Sequence, residues 1–137
     1  MNEPENACPF CGVAAALVVA DNQLALALFD KYPVSPGHVL VCPRWHVASF
    51  FDLTEAEMVA VLRLVREIKS RCEAQWQPLG YNIGVNVGPA AGQTVSHVHV
   101  HLIPRYHGDV EDPTGGVRNV IQGKGNYLHF QGQDRTI

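Results

Sequence analysis

Residues 94–103 have the sequence TVSHVHVHLI, with a histidine at every second position: His97, His99 and His101. Successive side chains of an extended strand point to opposite faces, so this alternation predicts a strand with three imidazoles on one face and apolar side chains on the other. A strand face that is merely solvated explains one or two histidines but explains three in register poorly. We therefore expect the apolar face to pack and the imidazole face to line a site.

Two chemistries fit such a row of imidazoles. Ring nitrogens two residues apart on a strand can converge on one zinc ion and leave a position for water, as in a metallohydrolase. Alternatively, a neutral imidazole is available at pH 7 as a nucleophile, with a neighbouring histidine serving the leaving group. The row alone leaves both open.

The rest of the chain predicts further strands and one helix. Thr54 and Glu57 form a capping-box pattern, and apolar residues at helical spacing follow it, which predicts an amphipathic helix over 55–72. Short apolar runs bounded by Asn, Pro and Gly predict strands over 17–20, 24–29, 38–42, 81–87 and 94–103, with a loop at 88–92. The first two strands are expected to form a hairpin.

Composition limits the classes of protein to consider. The 137 residues suit a single domain over 1–137, with 104–137 a less regular C-terminal segment. With 47% hydrophobic residues and a net charge of −3, the chain can fill a core but has no general basic field for DNA, RNA or a membrane surface. Without an apolar run of about 18 residues or a basic leader, a cytoplasmic protein is expected.

Cys8 and Cys11 have the C-x-x-C spacing of zinc sites and of redox pairs. A redox pair normally follows a strand and opens a helix, whereas few and mostly polar residues precede Cys8, so zinc is preferred. Two reduced cysteines without metal remain the alternative. Further ligands are not found at finger-like spacing, and Cys42 and Cys72 are expected to be buried.

Two segments resemble a known family. Residues 86–105, NVGPAAGQTVSHVHVHLIPR, closely resemble the signature of the histidine-triad family of nucleotide hydrolases and transferases, and residues 36–43, PGHVLVCP, are similar to the strand before its helix. The resemblance covers roughly residues 8–121. It implies an α+β fold, a mostly antiparallel sheet with one long amphipathic helix, extended across a homodimer through the helix and the strand beside Tyr81.

The resemblance also implies roles for single residues. His99 would be the nucleophile that forms a nucleotidyl-histidine intermediate, and His101 would contact the phosphate and the leaving group. The positions that would bind substrate are Asp30 for the ribose hydroxyls, and Asn86, Gln93, Thr94 and Val95 for the phosphates, the last two through backbone N–H groups. Asn86 and Gln93 are also suited to cap loop backbone, and Asp30 to a turn. His38 is left outside the catalytic set.

In zinc-containing branches of the family, the positions of Cys8, Cys11, His46 and His97 hold a structural zinc ion. Magnesium bound with the substrate phosphates is a further expectation, although no carboxylate cluster marks a site for it.

Residues 34–43 look closer to the dinucleoside-polyphosphate hydrolase branch than to the phosphoramidase branch, so diadenosine polyphosphates are the expected small-molecule substrates. The alternatives are a nucleoside 5'-phosphoramidate hydrolase, a zinc-stabilised nucleotide-binding module with little turnover, and a three-histidine metalloenzyme.

Overall fold

The computed structural model describes residues 8–129, which fall into two compact units divided after Arg105. Our expectations about a leader and about the end of the C-terminal segment concern residues outside this range. The single domain over 1–137 stays a prediction. Among the described residues, no helix is both long and apolar enough to cross a bilayer.

The first unit is an open five-stranded sheet with one long helix. All neighbouring strands are antiparallel, and their spatial order is β1-β2-β3-β5-β4. The elements are β1 (Val18–Asp21), β2 (Ala25–Phe29), β3 (Val39–Pro43), α1 (Glu55–Trp76), β4 (Gly80–Val85) and β5 (Val100–Arg105). The predicted α+β fold with a mostly antiparallel sheet is confirmed, whereas its extension across a homodimer stays a prediction.

The β1–β2 hairpin turns at Asn22, whose Oδ1 accepts the backbone N–H groups of Leu24 and Ala25 at 3.1 and 2.9 Å. Its Nδ2 donates to the carbonyl of Ala60 at 2.8 Å. One side chain therefore closes the hairpin and joins it to α1, as an Asx residue in a turn is able to do.

Helix α1 begins with the predicted capping box: the Thr54 hydroxyl accepts the N–H of Glu57, and the Glu57 carboxylate accepts the N–H of Thr54. The helix ends at Trp76 and not at Cys72, because no residue after Cys72 disfavours helix before Pro78. Gln77 closes it in the left-handed conformation, with φ 53°.

The sheet has two apolar faces. Side chains on one face pack against the buried side of α1: Ala25, Ala27, Val39, Val41, Val100, Leu102, and from the helix Val61, Leu64, Val65 and Ile68. The opposite face carries Leu26, Leu28, Leu40 and Cys42, which the N-terminal segment covers with Cys8 and Phe10. Burying each large aliphatic side chain contributes about 1.5–3 kcal/mol.

The histidine strand is shorter than predicted, because β5 begins at Val100 and not at Thr94. The N–H of Val98 donates to the carbonyl of Val47 at 2.7 Å, so the chain before Val100 bonds to the segment after β3 and not to the sheet. The burial of Val98, Val100 and Leu102 still follows the predicted alternation, with 1 to 3% of each exposed. His97 and His99 therefore precede the strand, and His101 is the member of the triad that lies on β5 itself.

The second unit contains 3-10 turns, Gly116–Val120 and Tyr127–His129, and no strand or α-helix among residues 106–129. Gly115 has φ 81°, and a Cβ there would collide with the carbonyl oxygen of Gly125, so only glycine fits. The Nε of Arg118 donates to the carbonyls of Lys124 and Gly125, which closes this loop on itself.

Candidate active site

The site is built on the sheet face opposite α1. Directly opposed residues of an antiparallel pair share a face, and His101 of β5 pairs with Leu40 of β3, whose side chain belongs to the apolar cluster on that face. His38, two residues before Leu40, projects to the same side and is 3% exposed. The pairing of β3 with β5 therefore brings His38 to His101.

Hydrogen bonds determine which nitrogens of this pair carry protons. The N–H of Val34 donates to His38 Nδ1 at 3.2 Å, so the proton of neutral His38 is on Nε2. That Nε2–H lies 2.9 Å from His101 Nδ1, which must accept it. The proton of neutral His101 is consequently on Nε2, the nitrogen that points away from His38 and is available to a substrate.

His99 has the opposite arrangement. Its Nδ1 lies 2.8 Å from the carbonyl oxygen of His97, and since a carbonyl only accepts, Nδ1 donates. The lone pair of neutral His99 is therefore on Nε2. The rings of His99 and His101 have centroids 5.2 Å apart, which places a ring that offers a lone pair beside a ring that offers a proton.

Burial keeps His38 and His101 neutral. Desolvation, with smaller contributions from His99 and His38, lowers the pKa of His101 to about 4, against the opposing effect of the Asp30 carboxylate. Desolvation also lowers the pKa of His38, again opposed by Asp30. The proton pattern described for His38 and His101 is thus the one present at neutral pH.

These lowered pKa values predict acid sensitivity of the fold. Between pH 6.5 and about 4 the unfolded chain binds protons that the folded chain rejects, so the free energy of unfolding falls as the pH drops through this window. For His101 the loss is about 1–3 kcal/mol after solvent screening. Urea unfolding at pH 7, 5.5 and 4.5 measures it, and His101→Gln should flatten the dependence relative to wild type. An equal pH dependence in both proteins would contradict the assignment.

Asp30 lies at the edge of this group and serves a turn as well. Its Oδ1 accepts the N–H of Tyr32 at 2.8 Å, as expected for an Asx turn, while its Oδ2 lies 3.4 Å from His38 Nε2. The carboxylate is 15% exposed and is the one acidic group that faces the histidine pair among the described residues. Its predicted contact with ribose stays a prediction.

The predicted phosphate-binding residues differ in what their side chains do. Gln93 is fully engaged: its Oε1 accepts the N–H of Gly88, and its Nε2 donates to the carbonyls of Ala48 and Val95. This geometry favours the loop-capping alternative for the Gln93 side chain. Its predicted contact with phosphate stays a prediction.

The other phosphate-binding candidates keep unused donors. Within residues 8–129 no hydrogen bond engages the side chain of Asn86 or the backbone N–H groups of Thr94 and Val95. Thr94 is exposed, and Asn86 and Val95 are half-buried, so these neutral donors are open to a ligand. Such donors bind phosphate oxygens without a basic patch.

The four predicted metal ligands converge. The nitrogen or sulfur atoms of Cys8, Cys11, His46 and His97 all lie within 4.8 Å of one another. Cys11 Sγ lies 3.1 Å from His46 Nδ1, and His97 Nδ1 lies 3.4 and 3.5 Å from the two sulfurs. Tetrahedral zinc with normal bond lengths separates a nitrogen and a sulfur ligand by about 3.5 Å, so the cluster fits zinc.

The orientation of His97 supports this fit. Its Nε2 donates to the carbonyl of Pro43 at 2.8 Å, which leaves the lone pair on Nδ1, facing the two sulfurs. The ring is fully buried, and desolvation lowers its pKa, so it is neutral as a ligand must be. Burial and the nearby Cys8 and Cys11 raise the pKa of Cys42 to about 12, consistent with its expected role as an inert buried thiol.

The part of the chain that the structure describes assembles no three-histidine metal centre. Among the described residues two groups could hold an ion, the cysteine–histidine cluster and Asp30 with His38 and His101, and His99 belongs to neither. His38 Nε2 also carries its proton, because Nδ1 accepts from Val34. Magnesium gains no support either, since these groups offer a single carboxylate.

The chain is similar in sequence to several known proteins. A family model described as the HIT domain matches residues 12–108. The asymmetrical bis(5'-nucleosyl)-tetraphosphatase of Schizosaccharomyces pombe is 36% identical over 82% of this chain, and the AP-4-A phosphorylase of Mycobacterium tuberculosis is 33% identical over 88%. The chain spans 63% of the length of each of these two relatives.

One similar solved structure contains zinc. A zinc-bound histidine triad family protein of Mycobacterium smegmatis superposes with a TM-score of 0.71 at 30% identity, covering 80% of this chain and 82% of that one.

Proposed function

Since the chain belongs to the histidine-triad (HIT) family, we propose that it hydrolyses dinucleoside polyphosphates, with diadenosine polyphosphates as the main substrates and His99 as the nucleophile. The observation that carries the proposal is the pair of complementary tautomers, a lone pair on His99 Nε2 beside a proton on His101 Nε2. The names of the two polyphosphate-cleaving relatives support the substrate class.

The geometry suits a double displacement. His99 Nε2 attacks the α-phosphorus, the bond from phosphorus to the bridging oxygen breaks, and the polyphosphate leaves as an anion whose new terminal oxygen accepts a hydrogen bond from His101 Nε2–H. Water then attacks phosphorus, the phosphorus–nitrogen bond breaks, and the proton of the water passes to solvent. His99 regains its lone pair, so the cycle balances.

Other groups hold the substrate. In the proposal, Asn86 and the N–H groups of Thr94 and Val95 bind the nonbridging oxygens, and Asp30 accepts the ribose hydroxyls. Gln93 then acts by shaping the loop, in accordance with its three loop hydrogen bonds.

Cys8, Cys11, His46 and His97 would hold a structural zinc ion. With four protein ligands the ion has no open position for water, so its contribution is a cross-link and not a chemical step. The residues it joins are the N-terminal turn and the loop that precedes the nucleophile. The zinc-bound relative supports this assignment.

Homodimerisation is part of the proposal. Val59 and Leu62 on α1 and Ile83 on β4 expose 41, 53 and 51% of their surfaces, and β4 is an edge strand. Exposed apolar side chains on the helix and on a strand at the edge of the described sheet favour association with a second copy.

The direct test offers diadenosine tetraphosphate and adenosine 5'-phosphoramidate separately and follows products by chromatography. We expect AMP and ATP from the tetraphosphate, at a kcat/KM well above that for the phosphoramidate. The reverse preference would favour the phosphoramidate hydrolase. Tight binding of both without turnover would favour the nucleotide-binding module.

A second candidate function differs in the molecule that accepts the nucleotidyl group from His99. The similarity to an AP-4-A phosphorylase favours a test of inorganic phosphate, which would replace water in the second step and release ADP and not AMP. Repeating the tetraphosphate reaction with millimolar phosphate separates the two, since a hydrolase gives an unchanged AMP yield.

His38 is expected to hold His101 in the required tautomer. Replacing His38 by leucine removes the hydrogen bond to His101 Nδ1, so we expect kcat to fall by about 10- to 100-fold. A glutamine at this position would keep a donor toward His101 and an acceptor for Val34, so His38→Gln should retain most activity. Steady-state kinetics on both variants test this, and equal losses in the two would contradict the tautomer argument.

A further inference from the structure

Phe10 lies between the two cysteines of the C-x-x-C turn and is 8% exposed. Its ring faces two histidines of the triad. The centroid distance is 5.5 Å to His97, in an edge-to-face arrangement, and 5.1 Å to His99, with the planes tilted by 46°. Phe10, which two predicted metal ligands flank in the sequence, thus packs directly on the predicted nucleophile, His99.

Few contacts orient the His99 ring. The hydrogen bond from Nδ1 to the carbonyl of His97 fixes one edge, and a ring held at one atom can still tilt about that bond. Phe10 and His101 are the aromatic neighbours that limit the tilt among the described residues. The direction of the Nε2 lone pair therefore depends on Phe10.

Phe10 also packs against apolar side chains of the sheet. It belongs to the apolar cluster of Leu26, Leu28, Leu40 and Cys42 on the sheet face opposite α1, and its neighbour Cys11 lies 3.1 Å from His46. The Phe10 ring thus packs on this apolar cluster as well as on His99. A displacement of the cysteine turn would move Phe10 and, through it, the nucleophile.

We propose that Phe10 is a positioning residue that aims the His99 ring and couples it to the Cys8–Cys11 turn. The inference rests on the proposed function, because the orientation of the His99 ring affects the rate only if His99 attacks phosphorus. Misplacing a reacting atom by about 1 Å can cost roughly 100-fold in rate, whereas a ring that merely fills the core alters stability and not kcat.

The experiment compares Phe10→Leu with Leu26→Ala, a truncation in the same apolar cluster at the position of β2 that pairs with Cys42 of β3. We expect Phe10→Leu to lower kcat by about tenfold with KM within twofold and zinc content unchanged. Leu26→Ala should lower the melting temperature while kcat stays near wild type. Equal kcat losses in the two variants would overturn the proposal, as would a higher KM at unchanged kcat, which would indicate a contact with the nucleoside.

The coupling is tested with Cys11→Ser, alone and combined with Phe10→Leu. If the turn acts on His99 through Phe10, the double variant loses no more kcat than the more damaged single variant. Multiplying losses would show independent effects and overturn the coupling. Melting temperature and zinc content of each variant identify any that fail to fold.

A spectroscopic measurement keeps the inference separate from the proposed function. Nitrogen-15 NMR of the histidine rings should show His99 mainly in the Nδ1–H form in wild type, with that population reduced in Phe10→Leu. An unchanged His99 signal overturns the positioning role. If wild type hydrolyses no nucleotide, the proposed function fails, and this measurement still decides whether Phe10 orients the ring.

Discussion

His99→Ala should eliminate turnover, lowering kcat by about 10⁴-fold or more, because no other described side chain offers an unprotonated nitrogen at the same place. The ring is half-buried and makes one hydrogen bond, to the carbonyl of His97, so the fold should remain. Nucleotide affinity should change little, since the proposed phosphate and ribose contacts come from other residues. Single-turnover kinetics and isothermal titration with a nonhydrolysable analogue measure the two effects.

His107→Ala is the matched control, since it removes an exposed imidazole outside the triad and should leave kcat unchanged. Activity of His99→Ala close to wild type would refute the nucleophile assignment. A large loss of affinity together with activity would instead indicate that His99 serves binding.

Cys8→Ser should remove zinc and a large part of the stability. Cys8 is buried, and its sulfur lies 3.4 Å from His97 Nδ1. Since metal binding to such a site contributes directly to folding, we expect a loss of about 3 kcal/mol or more, and a fall in melting temperature of roughly 10 °C. Elemental analysis and calorimetry measure the zinc content and the melting temperature.

Cys72→Ala provides the control, because Cys72 is equally buried but does not belong to the cluster. It should keep one zinc ion per chain and lose only the packing of one sulfur and its hydrogen bond with Tyr81. A Cys8→Ser protein that is as stable as wild type would count against the zinc site. So would wild-type protein that contains no zinc when purified without chelator.

Local patterns were sufficient for much of the fold. The capping box at Thr54 and Glu57 predicted the first turn of α1, because both hydrogen bonds join residues three apart. The Asx turn at Asn22 is equally local. The predicted start of β5 was wrong, because the backbone hydrogen bond from Val98 to Val47 joins residues far apart in sequence. No local sequence pattern reveals such a bond.

In the candidate site, too, local patterns were predictable and contacts between distant residues were not. Within residues 97–102, the alternation distinguished the histidines from the apolar residues. It could not show that His97 contacts the two cysteines while His99 and His101 contact each other. The position of His38 depends on the register that pairs Leu40 with His101. The signal available for it was a histidine next to a buried strand, which is equally typical of a core residue.

The central claim is that His99 Nε2 becomes bonded to phosphorus during each turnover. Mixing the enzyme with phosphorus-32-labelled diadenosine tetraphosphate and quenching in alkaline denaturant within milliseconds would preserve an acid-labile phosphorus–nitrogen bond. The account predicts one labelled peptide that contains residues 97–101, with the nucleotide on His99 and with no label in His99→Ala. Rapid hydrolysis with no labelled protein at any quench time, or a label on another residue, would contradict it.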